Sequence, residues 1–472
     1  MYFKQIFDKK LAQYAYLIGC QATGQAIVID PMRDVDQYLE LAANENLRIV
    51  AAADSHIHAD YVSGLRELAE KGVKVYASDE GDADWKYEWL LDSDYDYKLV
   101  KDGDSFSLGN IKFDVLHTPG HTPESISFLV TDGAATDEPM GVLTGDFVFV
   151  GDVGRPDLLE TAAGQKGAMK PAARQLYQSV ESFKNLPEYL QVWPAHGSGS
   201  ACGKALGAVP ESTVGYELRF SPAFKASGSE NEFVDFILDG QPEPPLYFGR
   251  MKKVNRGGAA VLGSLPQPKR LLVEEIIDKD GLIVDTRSAE QYMHGYLKGS
   301  LLATFDNNFN TIVGSYADAD QELYLIIEED HLQQAVRDLV RVGIDHIEGY
   351  VTPGQMTNWN GDRDHIDIID FEAVEKDRKN PDVALLDVRK ATEFDEGHLP
   401  NAINIAHTRL ADEINKIPRD KKLLVHCAGG QRASYACGLL AKEGFSVEWV
   451  DDDFSRWEEK YARTGAAISS KH

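Results

Sequence analysis

Apolar runs bounded by turn residues recur along the chain and alternate with stretches of helical periodicity. Near the start, the apolar runs 14–20 and 25–30 are separated by a short Gln-Ala-Thr-Gly segment, which predicts a hairpin of two strands. The next segments alternate in type, with helical patterns at 35–46, 65–71, 171–183 and 231–239 and strand patterns at 73–77 and 111–116. This alternation predicts two sheets flanked by helices.

The C-terminal part of the chain contains an internal repeat with a spacing of 102 positions. Ile283-Val-Asp285-Thr-Arg287 then falls on Leu385-Leu-Asp387-Val-Arg389, and each copy alternates strand and helix. The pattern predicts two small α/β domains with parallel sheets. We interpret the Asp-x-Arg pairs as structural ion pairs.

Three domains are expected for a chain of 472 residues, because one hydrophobic core rarely grows this large. We predict a first domain over 1–250, a second over 262–358 and a third over 363–472. A proline-rich stretch at 241–245 ends the last helix of the first domain. A glycine-containing arm at 247–263 is then expected to lead into the second domain.

Composition narrows the class of protein. The net charge of −28 argues against nucleic-acid binding and disfavours anionic membranes. The sequence has no apolar stretch of 18 residues and no signal-peptide layout, so we expect a cytoplasmic protein. Four cysteines without paired spacing are typical of a reducing compartment. Oligomeric state is left open, although the second domain offers surface for a homo-oligomer.

The segment Cys427-Ala428-Gly429-Gly430-Gln431-Arg432 lies between an apolar run and a helical pattern. A turn of this kind directs backbone N–H groups and the positive end of the helix dipole at a thiolate or an anionic substrate. Arg432 adds a positive charge. A buried cysteine in an ordinary strand–helix turn is the alternative.

The four residues between Cys427 and Arg432 resemble the active-site loop of rhodaneses, which carry sulfur as a cysteine persulfide. The Gly397-His-Leu-Pro turn fits the same pattern. By this resemblance Cys427 and Arg432 are catalytic and residues 428–431 bind substrate. The first copy has Leu323–His331 at the corresponding place, without cysteine, and we interpret it as a degenerate rhodanese serving as a spacer or docking surface.

A second chemistry is predicted in the N-terminal half. Histidines and carboxylates follow the ends of four predicted strands: His56, His58 and Asp60, then His121, then Asp146, then His196. Alternating histidines just past a strand point the same way and can converge on one metal. Four such segments in this order resemble the metallo-β-lactamase fold, with its αββα sandwich.

Position 61 departs from the two-metal members of that family, because a tyrosine replaces the last histidine of His-x-His-x-Asp-His. This loss weakens the second metal site. A set of two histidines and one carboxylate suits non-haem Fe(II), and the chain resembles the persulfide dioxygenase branch of the fold. By this resemblance His56, His121 and Asp146 bind one Fe(II) per chain. His58, Asp60 and His196 then orient the ligands and water.

Three more residues near this centre have two interpretations each. Arg155, in Gly-Arg-Pro-Asp157, is either an anion contact for the thiol carrier or a salt bridge that shapes its loop. Tyr61 is either structural or substrate-facing. Cys202, six residues past His196, is either a sulfur relay at the metal or a small residue in a glycine turn. Cys20 and Cys437 are expected to pack in the core.

The resemblance implies an enzyme that oxidises a low-molecular-weight thiol persulfide with O₂ to sulfite and thiol. Sulfur transfer among persulfide, sulfite and thiosulfate would follow at Cys427. The identity of the thiol carrier and the net direction of transfer stay open. A zinc-dependent thioester hydrolase resembling glyoxalase II, fused to a sulfurtransferase, is the alternative. A non-catalytic sulfur sensor is a third class, disfavoured because a sensor needs neither site.

Overall fold

The computed structural model describes residues 1–461, so residues 462–472 of the predicted third domain lie outside the described part. The contacts within the chain divide it into two compact units. Met1–Ser264 together with Val340–Gly343 form the first unit, and Leu265–Leu339 with Ile344–His472 form the second. Since this division yields two units, the predicted ends of the three domains stay predictions.

The first unit contains two six-stranded sheets. The first sheet has the strand order β1-β2-β3-β4-β5-β6, with antiparallel pairing among β1, β2 and β3 and parallel pairing from β3 to β6. Its strands are β1 Tyr2–Asp8, β2 Gln13–Cys20, β3 Gln25–Ile29, β4 Arg48–Ala53, β5 Lys74–Ser78 and β6 Tyr97–Val100. The predicted hairpin is the β2–β3 pair.

The second sheet has the order β12-β11-β10-β9-β8-β7. It is antiparallel except between β10 and β11. Its strands are β7 Ser105–Leu108, β8 Ile111–His117, β9 Ile126–Asp132, β10 Gly141–Gly145, β11 Gln191–Pro194 and β12 Ser212–Thr213.

The two sheets pack face to face, and helices cover their outer faces. Tyr16 and Ile18 of β2 share one buried cluster with Phe113 of β8 and Phe128 of β9, as in a sandwich of two sheets. The helices of this unit are α1 Asp36–Asn44, α2 Leu65–Glu70, α3 Leu158–Thr161, α4 Met169–Phe183, α5 Val214–Phe220, α6 Pro222–Ala226, α7 Glu230–Leu238 and α8 Phe248–Gly257. The first two pack on the first sheet and α4, α6 and α7 on the second, which confirms the predicted αββα sandwich.

One local prediction is wrong. The arm expected at 247–263 contains the ten-residue helix α8. Buried Phe248, Met251 and Asn255 recur at the spacing of one helix face. Of the glycines that suggested an irregular arm, Gly249 lies in the first turn of this helix, and Gly257, Gly258 and Gly263 come at or after its C-terminal end.

The second unit contains two five-stranded, all-parallel sheets of the same topology. The first has the order β13-β17-β16-β14-β15 and the second β18-β22-β21-β19-β20. The elements of the first copy are β13 Lys269–Arg270, α9 Val273–Ile277, β14 Leu282–Asp285, α10 Ala289–His294, β15 Leu301–Leu302, α11 Phe309–Tyr316, β16 Leu323–Ile326, α12 Leu332–Arg341, β17 Ile347–Val351 and α13 Pro353–Asn358. Those of the second are β18 Asp367–Ile369, α14 Phe371–Asp377, β19 Val383–Asp387, α15 Ala391–Glu396, β20 Ile403–Asn404, α16 Leu410–Glu413, β21 Lys422–His426, α17 Gln431–Lys442, β22 Val447–Val450 and α18 Phe454–Tyr461.

The Asp-x-Arg pairs occupy the same place in both copies. Arg389 Nη2 donates to Asp387 Oδ2 at 2.7 Å and to the carbonyl of Gly397 at 2.8 Å. Arg287 makes the matching bonds to Asp285, at 2.6 Å, and to Gly295, at 2.8 Å. All four charged side chains are buried. The ion pair predicted for Asp387 and Arg389 is thus present, it recurs in the first copy, and each arginine ties its strand to the following turn.

Strand register identifies the counterpart of the cysteine. Asp387 pairs with His426 across β19 and β21, as Asp285 pairs with Ile326 across β14 and β16. The next residue is Cys427 in one copy and Ile327 in the other, so the spacing of the repeat has fallen to 100 at this point. The first copy therefore has an aliphatic residue where the second has its thiol.

Candidate functional site

Three side chains converge at the ends of strands in the first unit. The ligand atoms of His56, His121 and Asp146 lie within 4.8 Å of one another, and all three residues are buried. Asp146 Oδ2 is 3.8 Å from His56 Nε2 and 3.5 Å from His121 Nε2. These three atoms have no hydrogen-bond partner among residues 1–461. Burying such atoms unpaired is costly, so their convergence fits a metal ion.

The other ring nitrogen of each histidine is held by a neighbour. His121 Nδ1 lies 3.1 Å from the Arg155 carbonyl and must donate, because a carbonyl only accepts. His56 Nδ1 lies 2.9 Å from Ser55 Oγ, whose own hydrogen goes to Asp30 Oδ2 at 2.9 Å. Both Nε2 atoms therefore keep their lone pairs for a metal.

Asp146 divides its two oxygens between different partners. Its Oδ1 lies 2.7 Å from His196 Nδ1, while Oδ2 faces the two histidines. Burial opposes ionisation of this carboxyl, but His196, His56 and His121 outweigh that effect and hold the pKa of Asp146 well below its usual range. Burial lowers the pKa of His56 and of His121. An ionised carboxylate and neutral imidazoles are the forms that bind metal.

Asp146 is placed by the backbone just before it. Gly145 has φ +53°, and a Cβ there would lie 2.4 Å from Ser55 Oγ. No other residue fits without displacing Ser55, which itself holds His56. The glycine that ends β10 thus sets the position of two predicted ligands together.

His58 and Tyr61 form a separate buried group. Tyr61 Oη is 2.9 Å from His58 Nε2, accepts from Gln13 at 3.1 Å and donates to the Asp30 carbonyl at 3.2 Å. Asp30 Oδ1 lies 3.3 Å from the same His58 nitrogen. His58 is not part of the converging group, although its Nδ1 is buried without a partner in the described chain. Tyr61 is fully buried, which favours the structural role left open above.

His196, Asp60 and Cys202 form a third cluster beside Asp146. His196 Nε2 lies 2.8 Å from Asp60 Oδ2, so both ring nitrogens are engaged. The ligand atoms of Asp60, His196 and Cys202 lie within 4.8 Å of one another. The Cys202 thiol therefore lies beside two of the residues predicted to orient the metal ligands, and its predicted role as a sulfur relay stays a prediction. Burial and the carboxylates of Asp60 and Asp146 raise the pKa of its thiol well above the ordinary value.

Arg155 is almost fully buried. Its guanidinium donates twice to the Asp157 carboxylate, at 2.8 and 2.6 Å, once to Ala201 O at 3.0 Å and once to Pro242 O at 2.7 Å. These bonds favour the loop-shaping role over an anion contact. Because Ala201 precedes Cys202, Arg155 also supports the loop that bears the thiol.

Several residues of this site carried no clear sequence signal. Asn255 of α8 donates to the carbonyls of His58 and Tyr61, both at 2.8 Å, and accepts from the N–H of Ser63 at 2.9 Å. It therefore clamps the histidine-bearing loop from almost two hundred residues away. Gln13, Asp30 and Ser55 were missed as well. The position of Asp30 at the end of an apolar run resembles that of Asp146 and could have pointed to it.

The cysteine loop of the second unit follows β21 and leads into α17. Cys427 is 2% exposed. Gly430 has φ +83°, and a Cβ there would lie 2.3 Å from Asp451 Oδ1. The carbonyls of Ala428 and Gly430 accept from Phe454 N and Trp449 Nε1, both at 2.8 Å. The loop is therefore held by its neighbours on both sides.

Arg432 is paired at the end of the loop. Its two terminal nitrogens donate to Glu393 at 2.5 and 2.8 Å, and the hydrogen bonds from Arg432 lower the pKa of that carboxyl. Glu393 thus orients the guanidinium and offsets part of its charge. The sequence contained Glu393 but did not indicate this pairing.

Comparison with known proteins agrees with this architecture. Residues 9–196 match the family model of the metallo-β-lactamase superfamily, and residues 370–460 match that of the rhodanese-like domain. The chain is 31% identical to the mitochondrial persulfide dioxygenase ETHE1 of Bos taurus over 199 residues, which are 41% of this chain and 67% of that one. It is 30% identical to a hydroxyacylglutathione hydrolase of Francisella tularensis, over 40% of this chain and 64% of that one. A crystal structure of a metallo-β-lactamase from Staphylococcus aureus is 43% identical, with a TM-score of 0.68, and the match covers 75% of this chain and 99% of that one.

The chain belongs to the metallo-β-lactamase superfamily, and its donor groups together with its homologues support a metal cofactor. More narrowly, it is a fusion of an ETHE1-type domain with a C-terminal rhodanese domain. Among residues 1–461, no helix is long and apolar enough to cross a membrane.

Proposed function

We propose that the protein is a non-haem Fe(II) persulfide dioxygenase coupled to a sulfurtransferase. About 30% identity to persulfide dioxygenases and the rhodanese domain support an enzyme of this kind, acting in sulfur metabolism. The observation that carries the proposal is the converging group of His56, His121 and Asp146. Each histidine is tethered so that Nε2 faces the centre, and residue 61 is a buried tyrosine. Two imidazoles and one carboxylate are the donor set of mononuclear iron oxygenases.

The overall oxidation balances as RSSH + O₂ + H₂O → RSH + SO₃²⁻ + 2 H⁺. The outer sulfur loses four electrons, and dioxygen accepts them. Iron bound by His56, His121 and Asp146 supplies the redox chemistry that joins oxygen to sulfur. The chain's own residues hold the ligands. His196 fixes Asp146 through Oδ1, Asp60 fixes His196, and the Cys202 thiol lies at the edge of the centre.

Sulfur transfer at Cys427 follows in two balanced steps. The Cys427 thiolate attacks the outer sulfur of RSSH, forming Cys427–S–SH and releasing RS⁻. After loss of a proton, sulfite attacks the outer sulfur of Cys427–S–S⁻, forming thiosulfate and restoring the thiolate. The backbone N–H groups of residues 428–431 and the N-terminus of α17 stabilise the anion, and Arg432 is oriented by Glu393. The product of the iron centre is thus a substrate of the cysteine loop.

The same proposal places the protein in the cytoplasm, where it removes sulfide-derived persulfide. The four cysteines are free, which supports a reducing compartment. We also propose the domain bounds 1–250, 262–358 and 363–472 as the units of this chemistry, with the cysteine-free middle copy between the two active ones.

A zinc-dependent thioester hydrolase is the second candidate. Two observations favour it: the 30% identity to a hydroxyacylglutathione hydrolase and the buried Nδ1 of His58, which has no hydrogen-bond partner within residues 1–461 and is free to bind a further metal ion. A hydrolase of this fold would hold close to two zinc ions per chain and would need no oxygen.

Oxygen consumption by the iron-loaded protein separates the two candidates. The full chain is loaded anaerobically with Fe(II), its metal content is measured, and glutathione persulfide is added in an oxygen-electrode cell. We expect one iron per chain and, for each O₂ consumed, one sulfite formed, measured as the sum of free sulfite and the thiosulfate made from it at Cys427. If no small persulfide drives oxygen uptake and the purified protein contains two zinc ions, the dioxygenase proposal is wrong and the hydrolase takes its place.

A further inference from the structure

Within the second unit, the two rhodanese copies pack against each other beside the cysteine loop. Helix α17, which follows Cys427, lies on β15 of the cysteine-free copy. A Cβ added at Gly438 would lie 2.8 Å from Leu302 Cβ and 3.0 Å from Leu302 N. The Tyr316 hydroxyl of the first copy also donates to the carbonyl of His407 in the second. The first copy is therefore in direct contact with the helix that begins at the loop.

One carboxylate of the cysteine-free copy reaches the loop itself. Asp306 Oδ2 accepts from Gln431 Nε2 at 2.7 Å and from the Tyr435 hydroxyl at 2.5 Å. Its other oxygen, Oδ1, accepts from the N–H of Asn308 at 2.7 Å, so the side chain is fixed in its own turn. Gln431 is the fifth residue of the loop and the first residue of α17.

This contact adds an anchor at Gln431 to the hydrogen bonds that hold Ala428 and Gly430 within their own copy. Gly430, at the N-cap of α17, has no side chain with which to cap the helix. The anchoring hydrogen bonds are charge-assisted and stronger than neutral ones. Tyr435 is 1% exposed, and burial together with Asp306 raises the pKa of its hydroxyl, so it remains a donor at physiological pH.

We infer that the cysteine-free copy fixes the conformation of the cysteine loop through Asp306, which makes Asp306 a positioning residue for sulfur transfer at Cys427. The inference rests on the sulfurtransferase activity proposed above. It assigns the degenerate copy a function beyond that of a spacer. Attack on the outer sulfur of Cys427–S–S⁻ requires that sulfur to be held in line with the acceptor. A loop anchored at Gln431 holds the N–H groups that bind it.

Asp306→Asn is the sharpest test, because it keeps the acceptor for the Asn308 N–H and changes only the other atom. The new amide nitrogen then faces Gln431 Nε2. Both groups are hydrogen-bond donors, so the hydrogen bond between residues 306 and 431 is lost. We expect kcat for transfer from a persulfide donor to sulfite to fall by at least about tenfold, because neither Gln431 nor Tyr435 keeps its charge-assisted hydrogen bond to Oδ2. KM for the donor should change less than twofold. Asp320→Asn, at an exposed position of the same copy, is the matched control and should retain wild-type kcat.

Two further measurements guard against a purely structural effect. Tyr435→Phe removes one donor and leaves the carboxylate in place, so it should give a smaller fall in kcat in the same direction. The rate at which iodoacetamide alkylates Cys427, followed by peptide mass spectrometry, should change in Asp306→Asn and not in Asp320→Asn. Loss of folded protein alone would lower the active fraction and leave both kcat per folded chain and the alkylation rate unchanged.

The outcomes separate this inference from the proposed function. If the wild-type protein shows no sulfur transfer that depends on Cys427, both the proposed function and this inference are wrong. If wild-type transfer is lost in Cys427→Ser but Asp306→Asn keeps full kcat and the wild-type alkylation rate, the proposed function stands and the inference is wrong.

Discussion

The two oxygens of Asp146 have separate tasks. Oδ1 is held by His196, and Oδ2 is left facing two imidazole nitrogens without any other partner in the described chain. The contact with His196 engages Oδ1 and leaves Oδ2 as the oxygen directed at the imidazoles. In the proposed function, His56, His121 and Asp146 would each offer one ligand atom to the metal.

Asp146→Ala should abolish iron binding and oxygen uptake, because it removes one of the three proposed ligands and also the partner of His196. Metal content by mass spectrometry should fall to less than about a tenth of wild type. Sulfur transfer at Cys427 should persist. Asp137→Ala, at an exposed position of the same unit, is the control. Iron content and oxygen uptake equal to wild type in Asp146→Ala would contradict the ligand assignment.

Glu124 is a buried carboxyl whose ionisation should be visible in the pH dependence of stability. Burial raises its pKa from the ordinary 4.5 to about 7, although the N–H of Ile57 bonds one oxygen. The folded state therefore binds the proton more tightly than the unfolded state does. The tighter proton binding contributes its full stabilisation of the folded state below pH 4.5, the ordinary pKa. That contribution is lost as the pH rises through about 7, the pKa in the folded state.

Glu124→Gln keeps the acceptor for Ile57 and removes the titration. Relative to that of wild type, the free energy of unfolding of the variant should rise by up to about 3 kcal/mol between pH 5 and pH 8. Urea unfolding of the first unit, followed by its tryptophan fluorescence, would show this as a midpoint difference that grows with pH. A difference that stays constant over that range would mean that Glu124 does not titrate there.

Helix α8 is distant in sequence from the loop of residues 58–63, which follows His56, but its hydrogen bonds hold that loop in place. Its Asn255 is buried and satisfies two carbonyls and one N–H of residues 58–63. Residues 58–63 lie outside the strands and have only an isolated bridge between Ser63 and Met32 and a backbone bond from Val62, so Asn255 supplies hydrogen bonds that a sheet would otherwise provide. The helix is therefore part of the site, although it contributes no ligand.

Asn255→Ala should weaken metal binding without removing any ligand. Three buried backbone groups lose their partner, and changes to groups that support metal ligands lower affinity about 10- to 100-fold. Competition with a chelator would measure the dissociation constant. Lys253→Ala, at an exposed position of the same helix, should bind metal like wild type. Equal affinities in both variants would show that the clamp does not act on the ligands.

The elements themselves were largely predictable. Strand and helix patterns located β2, β3, β5, β8, α1, α2, α4 and α7 to within a few residues, because each buries a face with a clear period. Helix α8 was missed since its ten residues, Phe-Gly-Arg-Met-Lys-Lys-Val-Asn-Arg-Gly, include two glycines and four basic residues. Its helical state depends on burying Phe248, Met251 and Asn255 in the first unit.

In the proposed function, the chain as a whole joins two chemistries that share one intermediate. Sulfite formed at the proposed iron centre would be the acceptor at Cys427, and the residues proposed for each site lie within one unit. A substitution at one site should therefore abolish one activity and leave the other intact. A single combined site would lose both.

Cys427→Ser in the full chain should abolish formation of thiosulfate and leave oxygen uptake and sulfite production near wild type. Sulfite should then accumulate in place of thiosulfate. Ion chromatography of the products formed from glutathione persulfide would distinguish the two anions. Mixing the Cys427→Ser and Asp146→Ala proteins should restore thiosulfate. Thiosulfate formed by Cys427→Ser alone would show that another cysteine carries the sulfur.

Residue types and spacing were sufficient to predict the sandwich, the parallel-sheet repeat and the missing cysteine of the first copy. They were also sufficient to locate the candidate metal-binding and cysteine segments. These features depend on local periodicity and on donor groups placed at strand ends, which are written along the chain. The partners of those groups could not be predicted in the same way. Ser55 and Asp30 behind His56, Asn255 behind the histidine loop, Glu393 beside Arg432 and Asp306 beside Gln431 meet only after the elements pack. A hydrogen bond requires about 3 Å between atoms, and separation along the sequence does not encode a distance of that size.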